Sequence, residues 1–238
     1  MAFGDWTQVI VSNMAAALDL GSPINGSGSL LLSRTSTSIV STNYAGMHLN
    51  TGSFTVGVTK GRIRTLMQIE KSNVGTTTSD YNAMIGALYN TAFDPTNNAN
   101  AGYIGGWTVC SDSDQALRIA RLGTPLTDTL SGIDIGAGPT GLITQVKPFG
   151  PLVDQDILPI EFEWVVDVPN LGGVRLTLRT GNVNDTDFAN LATVLDIITT
   201  TNIITTSDFE GLICGNGGSG GIVGSGIRWD DTTVSELL

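Results

Sequence analysis

The sequence is short of cysteine, lysine and charged residues in general. Of its 238 residues, 14% are charged, two are cysteines and three are lysines, at positions 60, 71 and 147. The formal net charge is -11. A chain this acidic lacks the basic surface that neutralises phosphates or anionic headgroups. The composition therefore argues against direct binding to nucleic acid and against docking onto anionic lipid.

The cysteines and the N-terminus exclude further classes of protein. Cys110 and Cys214 are far apart and match no zinc-binding or redox spacing, so we expect two buried thiols, with a disulfide as the less favoured alternative. Residues 1–6 include no basic stretch, and no apolar run reaches membrane-spanning length. These features predict a protein made in a cytoplasm without a signal peptide.

The clearest positive signal is a β-hairpin between Pro159 and Arg179. Its first strand alternates in polarity, and the apolar set is Ile160, Phe162, Trp164, Val166 and Val168. The segment 169–173 contains Pro and two Gly residues and reverses the chain. The return strand alternates as well, which lets Arg175 and Arg179 face the outward carboxylates across the hairpin. One hairpin is not stable alone in water, so a second sheet must cover its apolar face.

The rest of the sequence predicts more short strands and little helix. Gly, Thr, Ser and Asn dominate the polar residues, and 41% of the chain is hydrophobic, which is enough for a sizeable core. Tyr81 to Tyr89 also suits a helical turn, but its neighbours favour a strand. Another short strand is predicted from Leu142 to Val146, inside a long Gly/Pro-rich segment. The predicted fold class is all-β: a single antiparallel β-sandwich of jelly-roll type with long Gly/Pro-rich loops.

The chain shows no internal division. Neither a repeat of fixed period nor a linker interrupts it, so we expect one β-sandwich domain over residues 1–238. Within this domain, residues 1–25 are expected to form an edge strand that closes the sandwich. An N-terminal arm that reaches onto a neighbouring subunit is the alternative.

Two parts of the sequence resemble a known family of sandwiches. The closing stretch from Gly226 to Ser235, GIRWDDTTVS, resembles the last strand of concanavalin A-like or laminin G-like jelly rolls, where an apolar residue, paired aspartates and a short alternating tail recur. The order of Gly102 to Leu122, then the Ile160 to Arg179 hairpin, is similar to the middle of that family. The resemblance implies a bent two-sheet sandwich that mostly binds glycans or proteins and in some members hydrolyses glycans.

The composition is also similar to that of tailed-phage virion proteins, which are often Gly/Thr-rich, acidic and free of signal peptides. Our first hypothesis is a non-enzymatic structural protein of a virion, either a capsid decoration or a tail- or fibre-associated subunit. Its partners would be further copies of itself and other virion proteins. The alternative is a lectin-like module that binds surface glycans or a receptor. A glycoside hydrolase is the least favoured hypothesis.

The hydrolase hypothesis depends on Glu161, Glu163 and Asp167. Carboxylates two residues apart on one strand face lie about 7 Å from each other, near the spacing used in acid-base cleavage of glycosides. Jelly-roll glycosidases typically carry Glu-x-Asp-x-x-Glu or Glu-x-Asp-x-Glu, whereas this chain has Glu-x-Glu-x-x-x-Asp. We therefore expect a solvated acidic face paired with the hairpin arginines, and no catalytic residue.

Aspartate pairs are weak candidates for binding calcium, an ion that sandwiches of the resembled family often hold near strand ends. The candidate pairs are Asp112 and Asp114, Asp185 and Asp187, and Asp230 and Asp231. None of them lies in a complete EF-hand loop, because the glycine and the terminal glutamate of that motif are missing. No other cofactor is expected.

Aromatic residues are candidates for stacking on sugar rings. Trp107 and Tyr103, and also Tyr44, could stack on a sugar if they are exposed, whereas Trp164 alternates with Phe162 and is expected in the core. The single histidine, His48, has no cysteine or serine partner in a recognisable frame, so a structural role is expected for it.

Overall fold

The structure is a computed structural model of the chain. It describes residues 6–11, 14–21, 23–26, 28–35, 44–49, 60–70, 81–88, 103–110, 116–122, 145–148, 152–166, 174–199, 210–217 and 226–237. Every regular element in these ranges is a β-strand, and the strand pairs are antiparallel. Within the same ranges no helix is long and apolar enough to cross a membrane. The predicted all-β, antiparallel fold class is confirmed.

The described strands form two sheets of seven strands each. In spatial order, sheet A consists of β1 (Trp6–Val11), β4 (Tyr44–Leu49), β13 (Glu210–Gly217), β6 (Tyr81–Leu88), β7 (Tyr103–Cys110), β8 (Ala116–Leu122) and β9 (Gln145–Pro148). Sheet B consists of β12 (Ala192–Thr199), β11 (Val174–Thr180), β10 (Ile157–Val166), β5 (Lys60–Glu70), β14 (Gly226–Glu236), β3 (Ser29–Arg34) and β2 (Met14–Asp19). Contacts of β10 with β6 and of β13 with β14 join the two sheets.

Several local predictions can be compared with this topology. The ambiguous segment from Tyr81 is a strand, β6, as predicted. Of the strand predicted from Leu142 to Val146, the last two residues lie in β9, Gln145–Pro148, and residues 142–144 lie outside the described residues. Both strands of the N-terminal stretch lie at sheet edges, β1 in sheet A and β2 in sheet B.

The core face of sheet B is built from alternate residues of its central strands. Phe162 and Trp164 on β10 are fully buried, and their rings stack with centroids 6.3 Å apart. Trp229 on β14 and Ile63 on β5 are buried on the same face. Each such side chain contributes roughly 1.5–3 kcal/mol on burial. The expectation that Trp164 lies in the core is confirmed.

Gly61 makes room for the largest of these side chains. It lies opposite Trp164 in the β5–β10 register, and the indole ring occupies the space where a Cβ would stand. A side chain at this position would therefore overlap the buried ring. The requirement for glycine here is one of packing, because only a hydrogen atom fits between strand and ring.

We predict that Gly61→Ala destabilises the fold by about 3 kcal/mol, because the added methyl must displace a fully buried indole. Urea unfolding followed by tryptophan fluorescence measures the change. Gly21→Ala is the matched control, since its Cβ would meet its nearest neighbour at 3.4 Å, an ordinary contact. A Gly61→Ala variant as stable as the control would show that the Trp164 ring does not pack as described.

Candidate functional site

The outer face of sheet B, opposite the buried aromatic rings, carries a regular array of charges. On β10 the outward residues are Glu161, Glu163 and Val165, and the register places a cation beside each one. Glu161 pairs with Arg64 and Arg179, Glu163 with Arg62, and Val165 with Lys60 and Arg175. We call this surface the charged face. Its members are Lys60, Arg62 and Arg64 on β5, Glu161, Glu163 and Val165 on β10, Arg175, Thr177 and Arg179 on β11, and Asp196 on β12.

Glu161 is the buried centre of the charged face. Its Oε1 lies 2.7 Å from Arg179 Nη1, and its Oε2 lies 3.7 Å from Arg62 Nε. Arg179 Nη1 also donates to Glu163 Oε2 at 3.1 Å. Burial by itself lowers the pKa of the Arg179 guanidinium, but its hydrogen bonds to both carboxylates outweigh burial and raise that pKa. One guanidinium therefore holds two carboxylates of β10 in fixed positions.

Arg175 binds a different partner from the one predicted. It lies opposite Val165, and its Nε and Nη2 donate to the two Asp196 oxygens at 2.9 and 2.6 Å. Thr177 Oγ1 also bonds Asp196 Oδ1 at 3.3 Å. The Arg175 hydrogen bond lowers the pKa of Asp196, and the same bond raises the pKa of Arg175. The prediction that both arginines face the hairpin carboxylates is right for Arg179 and wrong for Arg175, because β12 offers a better-placed carboxylate.

Exposure increases along the charged face from Glu161 towards Lys60. The Glu161 side chain is 5% exposed, that of Arg62 is 34% exposed and that of Arg175 is 50% exposed, while Lys60 is an exposed residue. At the closed end, the Arg64 guanidinium lies 4.9 Å from the centre of the Phe188 ring. The face is therefore open to solvent around Val165 and covered at the level of Glu161.

The prediction of a solvated acidic face is wrong at Glu161. The residue is 4% exposed because two arginines lie against its carboxylate. A substrate could reach it only by displacing Arg179, so the geometry is that of a structural ion pair. Asp167, the third member of the predicted acidic set, lies outside the described residues.

A second ion-pair cluster occupies the other half of the outer face. The Arg228 side chain on β14 is 6% exposed, and its Nη1 lies 2.6 Å from Asp19 on β2. Its Nε donates to Glu70 on β5 at 2.6 Å. Burial lowers the pKa of Arg228, and its bonds to Asp19 and Glu70 outweigh burial and raise it. The sequence analysis missed this cluster, although the polar position of Arg228 between Ile227 and Trp229 was a usable signal.

The paired aspartates of β14 anchor a loop. Asp230 is 2% exposed and accepts hydrogen bonds from Asn25 N at 2.8 Å, Ser29 Oγ at 3.2 Å and Asp231 N at 2.8 Å. Asp231 Oδ2 accepts from Asn25 Nδ2 at 2.7 Å. Because hydrogen-bond donors surround Asp230, the arrangement does not fit a calcium ion, which needs a shell of oxygen ligands.

Asp185 Oδ2 accepts hydrogen bonds from Asn182 Nδ2 and Asn190 Nδ2, and Asp187 Oδ1 accepts one from Ala189 N. Asp112 and Asp114 lie outside the described residues, so calcium there stays a prediction. Among the described side chains, no group of three or more His, Cys, Asp or Glu residues is arranged to hold a metal ion.

The other predicted positions lie on sheet A. Tyr103 and Trp107 are four residues apart on β7, and His48 is on β4. β6 lies between β7, which carries Cys110, and β13, which carries Cys214. Two strand spacings separate the cysteine backbones by about 10 Å or more, which excludes a disulfide. The structure therefore does not bring the sheet A candidates to the charged face, which belongs to sheet B.

Comparison with solved structures shows a lectin-like fold. The exoplasmic/lumenal domain of VIP36, in a form bound to Ca2+ and Man3GlcNAc, matches with a TM-score of 0.59 at 10% identity, over 98% of this chain and 84% of that one. The legume lectin-like domain from Entamoeba histolytica matches with a TM-score of 0.53 at 12% identity, over 98% and 91%. The PL-14 alginate lyase from Aplysia kurodai gives 0.57 at 8% identity, over 99% and 92%.

At these identities the likeness shows the fold alone. The sequence matches no protein-family model and no curated protein. The concanavalin A-like, jelly-roll class that the sequence resembles is confirmed by the solved structures. They give no support to a phage virion role, so that role, the virion location and the homo-oligomer stay predictions from composition.

We predict that Glu161→Gln costs about 2 kcal/mol of stability, because it leaves the partly buried Arg179 and Arg62 without their shared carboxylate. Chemical denaturation measures the loss. Asp196→Asn is the control: it breaks an ion pair whose side chains are 50% and 35% exposed, and we expect a cost below about 0.5 kcal/mol. Equal costs for the two variants would contradict the burial of Glu161.

We also predict that Arg175→Gln raises the pKa of Asp196 towards its ordinary value, because the hydrogen bond that lowers it is lost. Carboxyl carbon shifts followed by NMR through an acid titration measure this pKa. The stabilisation from Asp196 is present above the unfolded-state pKa and is lost as the pH falls through the lower folded-state pKa. An unchanged Asp196 titration in the variant would show that Arg175 is not its partner.

Proposed function

We propose that this protein binds carbohydrate on the open end of the charged face, around Val165. The observation that carries the proposal is the array of ion-paired donors and acceptors on a solvent-exposed sheet face of a lectin-like fold. Sugar hydroxyls both donate and accept hydrogen bonds, so a surface that alternates guanidinium and carboxylate groups suits them. The Arg175–Asp196 pair supplies both kinds of group at the exposed end.

Preorganisation supports the same assignment. Flexible arginines lose conformational freedom when they bind a ligand, which weakens affinity. Here Arg179 is held by two carboxylates and Arg175 by a bidentate pair. A ligand would therefore meet side chains that are already ordered, as the donors of a binding site need to be.

The fold likeness supports a glycan as the ligand class. The VIP36 domain was solved with Man3GlcNAc, and the alginate lyase acts on a polysaccharide. We extend only the class of ligand to this chain. The lectin-like alternative from the sequence is thus better supported than the virion subunit.

We propose binding without catalysis. The carboxylate best placed on β10, Glu161, is 4% exposed and lies against two arginines. Glu163 shares Arg179 with it. A general acid or base must reach a proton on the substrate, and this ion-pair network opposes that approach.

The test is a broad glycan panel, followed by calorimetric titration of any ligand that binds. We expect saturable binding without release of shortened products. Arg175→Ala combined with Asp196→Ala should weaken binding about tenfold or more, since both hydrogen-bonding groups are removed. EDTA should leave the affinity unchanged, because the proposed contacts use no metal.

Gln8→Ala is the control, because Gln8 is exposed on β1, an edge strand of the other sheet. A blank across the whole panel would overturn the proposed function. If the double variant and Gln8→Ala change the affinity equally, the binding site does not lie on the charged face.

A further inference from the structure

We infer that the ligand is an acidic glycan, one that carries carboxylate or sulfate groups along its chain. This inference rests on the proposed function and names its ligand class. It follows from the excess of cations over carboxylates on the charged face, from the exposure of some of these cations to solvent, and from the acidic net charge of the rest of the chain.

The charged face has more cations than carboxylates. Its five cations are Lys60, Arg62, Arg64, Arg175 and Arg179. Its three carboxylates are Glu161, Glu163 and Asp196. The face is therefore locally positive, although the whole chain has a net charge of -11 and only 11 Lys and Arg residues. Nearly half of the positive side chains therefore lie on two strands, β5 and β11, which flank β10 in one sheet.

The excess charge lies at the exposed end. Lys60 is exposed, and Arg62 is 34% exposed, with its Nε 3.7 Å from the nearest Glu161 oxygen. That separation is too long for a hydrogen bond, so the ion pair with Glu161 is a loose one. The Nε atom itself is buried and has no hydrogen-bond acceptor within the described ranges, so a ligand would have to meet another part of this side chain. Arg175 has its carboxylate, Asp196, on the side away from β10. The end of the face that a ligand can reach is thus the end with incompletely neutralised cations.

The geometry suits a sugar ring with an acidic substituent. Lys60 and Arg175 stand on either side of Val165, two strand spacings apart, or about 10 Å. Val165 supplies a small apolar surface on which a pyranose ring can lie. An acidic group at the ring edge then meets a cation on either side, and charge-assisted hydrogen bonds of this type are about twice as strong as neutral ones.

The surrounding charge disfavours denser polyanions. Binding of nucleic acid uses a continuous basic surface that neutralises many phosphates. Here the cations of β5 and β11 lie beside the carboxylates of β10, and the remainder of the chain is strongly acidic. A polymer with one charge on each sugar matches the spaced cations, while a densely charged polymer would meet repelling carboxylates.

The experiment compares alginate oligosaccharide, which has one carboxylate on each sugar, with the same oligosaccharide after reduction of its carboxyl groups to alcohols. Isothermal titration calorimetry at two salt concentrations gives the affinities. We expect the acid to bind at least about tenfold more tightly than its reduced form, with the difference shrinking at high salt. A dextran oligosaccharide with a single sulfate on each sugar distinguishes sulfate from carboxylate as the preferred group at the same charge density.

Lys60→Gln combined with Arg62→Gln tests the site. Glutamine still donates hydrogen bonds to hydroxyls but has no charge, so we expect the ratio of the affinity for the acid to the affinity for the reduced form to fall about tenfold. Lys147→Gln removes a charge from β9, the edge strand of sheet A, and should change neither affinity.

The outcomes separate this inference from the proposed function. Equal affinity for the acid and the reduced form would overturn the inference and leave carbohydrate binding in place. Affinity for poly-glutamate equal to that for the acid would overturn it as well, since charge alone would then explain binding. A protein that binds no glycan, acidic or neutral, would overturn both.

Discussion

The ion pair between Arg179 and Glu161 determines the character of the outer face of sheet B. A carboxylate removed from water costs several kcal/mol unless a partner compensates it. Glu161 is 4% exposed, and Arg179 lies 2.7 Å from it. Because the same guanidinium reaches Glu163, the β10 carboxylates and the β11 cation become one rigid unit. Arg62 on β5 lies 3.7 Å from the other oxygen of the same Glu161 carboxylate.

The opposite side of β10 makes this arrangement possible. Trp164 and Phe162 are fully buried, and the alternation of the strand sends Glu161 and Glu163 to the other face. A slip of one residue would move the carboxylates into the core and the rings into solvent. The core therefore fixes the register of the charged face, and Gly61 permits the close packing that this register needs.

Features set by residues near one another in sequence could be predicted. The antiparallel pairing of β10 with β11 was predictable from the alternation of both segments and from the Pro and Gly residues between them in the sequence, and Arg179 meets Glu161 only 18 residues away. The same local patterns gave the all-β class and its resemblance to lectin-like sandwiches. The pattern at Tyr81–Leu88 also suited a helical turn, but the neighbouring strands favoured a strand, and the structure confirms the strand.

Features that depend on distant strand pairing could not be predicted. Arg62 comes to Glu161 because β5 pairs with β10, and no residue of either strand specifies the other as its neighbour. Arg228 and Asp19 meet although they are 209 residues apart. For the same reason Arg175 was assigned to the hairpin carboxylates, whereas Asp196 on β12 binds it. The alternation of polarity predicts on which face of the sheet a residue lies, but the order of the strands in the sheet determines which residue it contacts.

The central claim is that carbohydrate binds the charged face of sheet B. Titration of labelled protein with a glycan selected by binding, followed through backbone amide shifts in NMR, tests it most directly. The account predicts that the shifts concentrate on β5, β10 and β11, around Lys60, Val165 and Arg175. Shifts confined to sheet A, for instance along β7 at Tyr103 and Trp107, would contradict it.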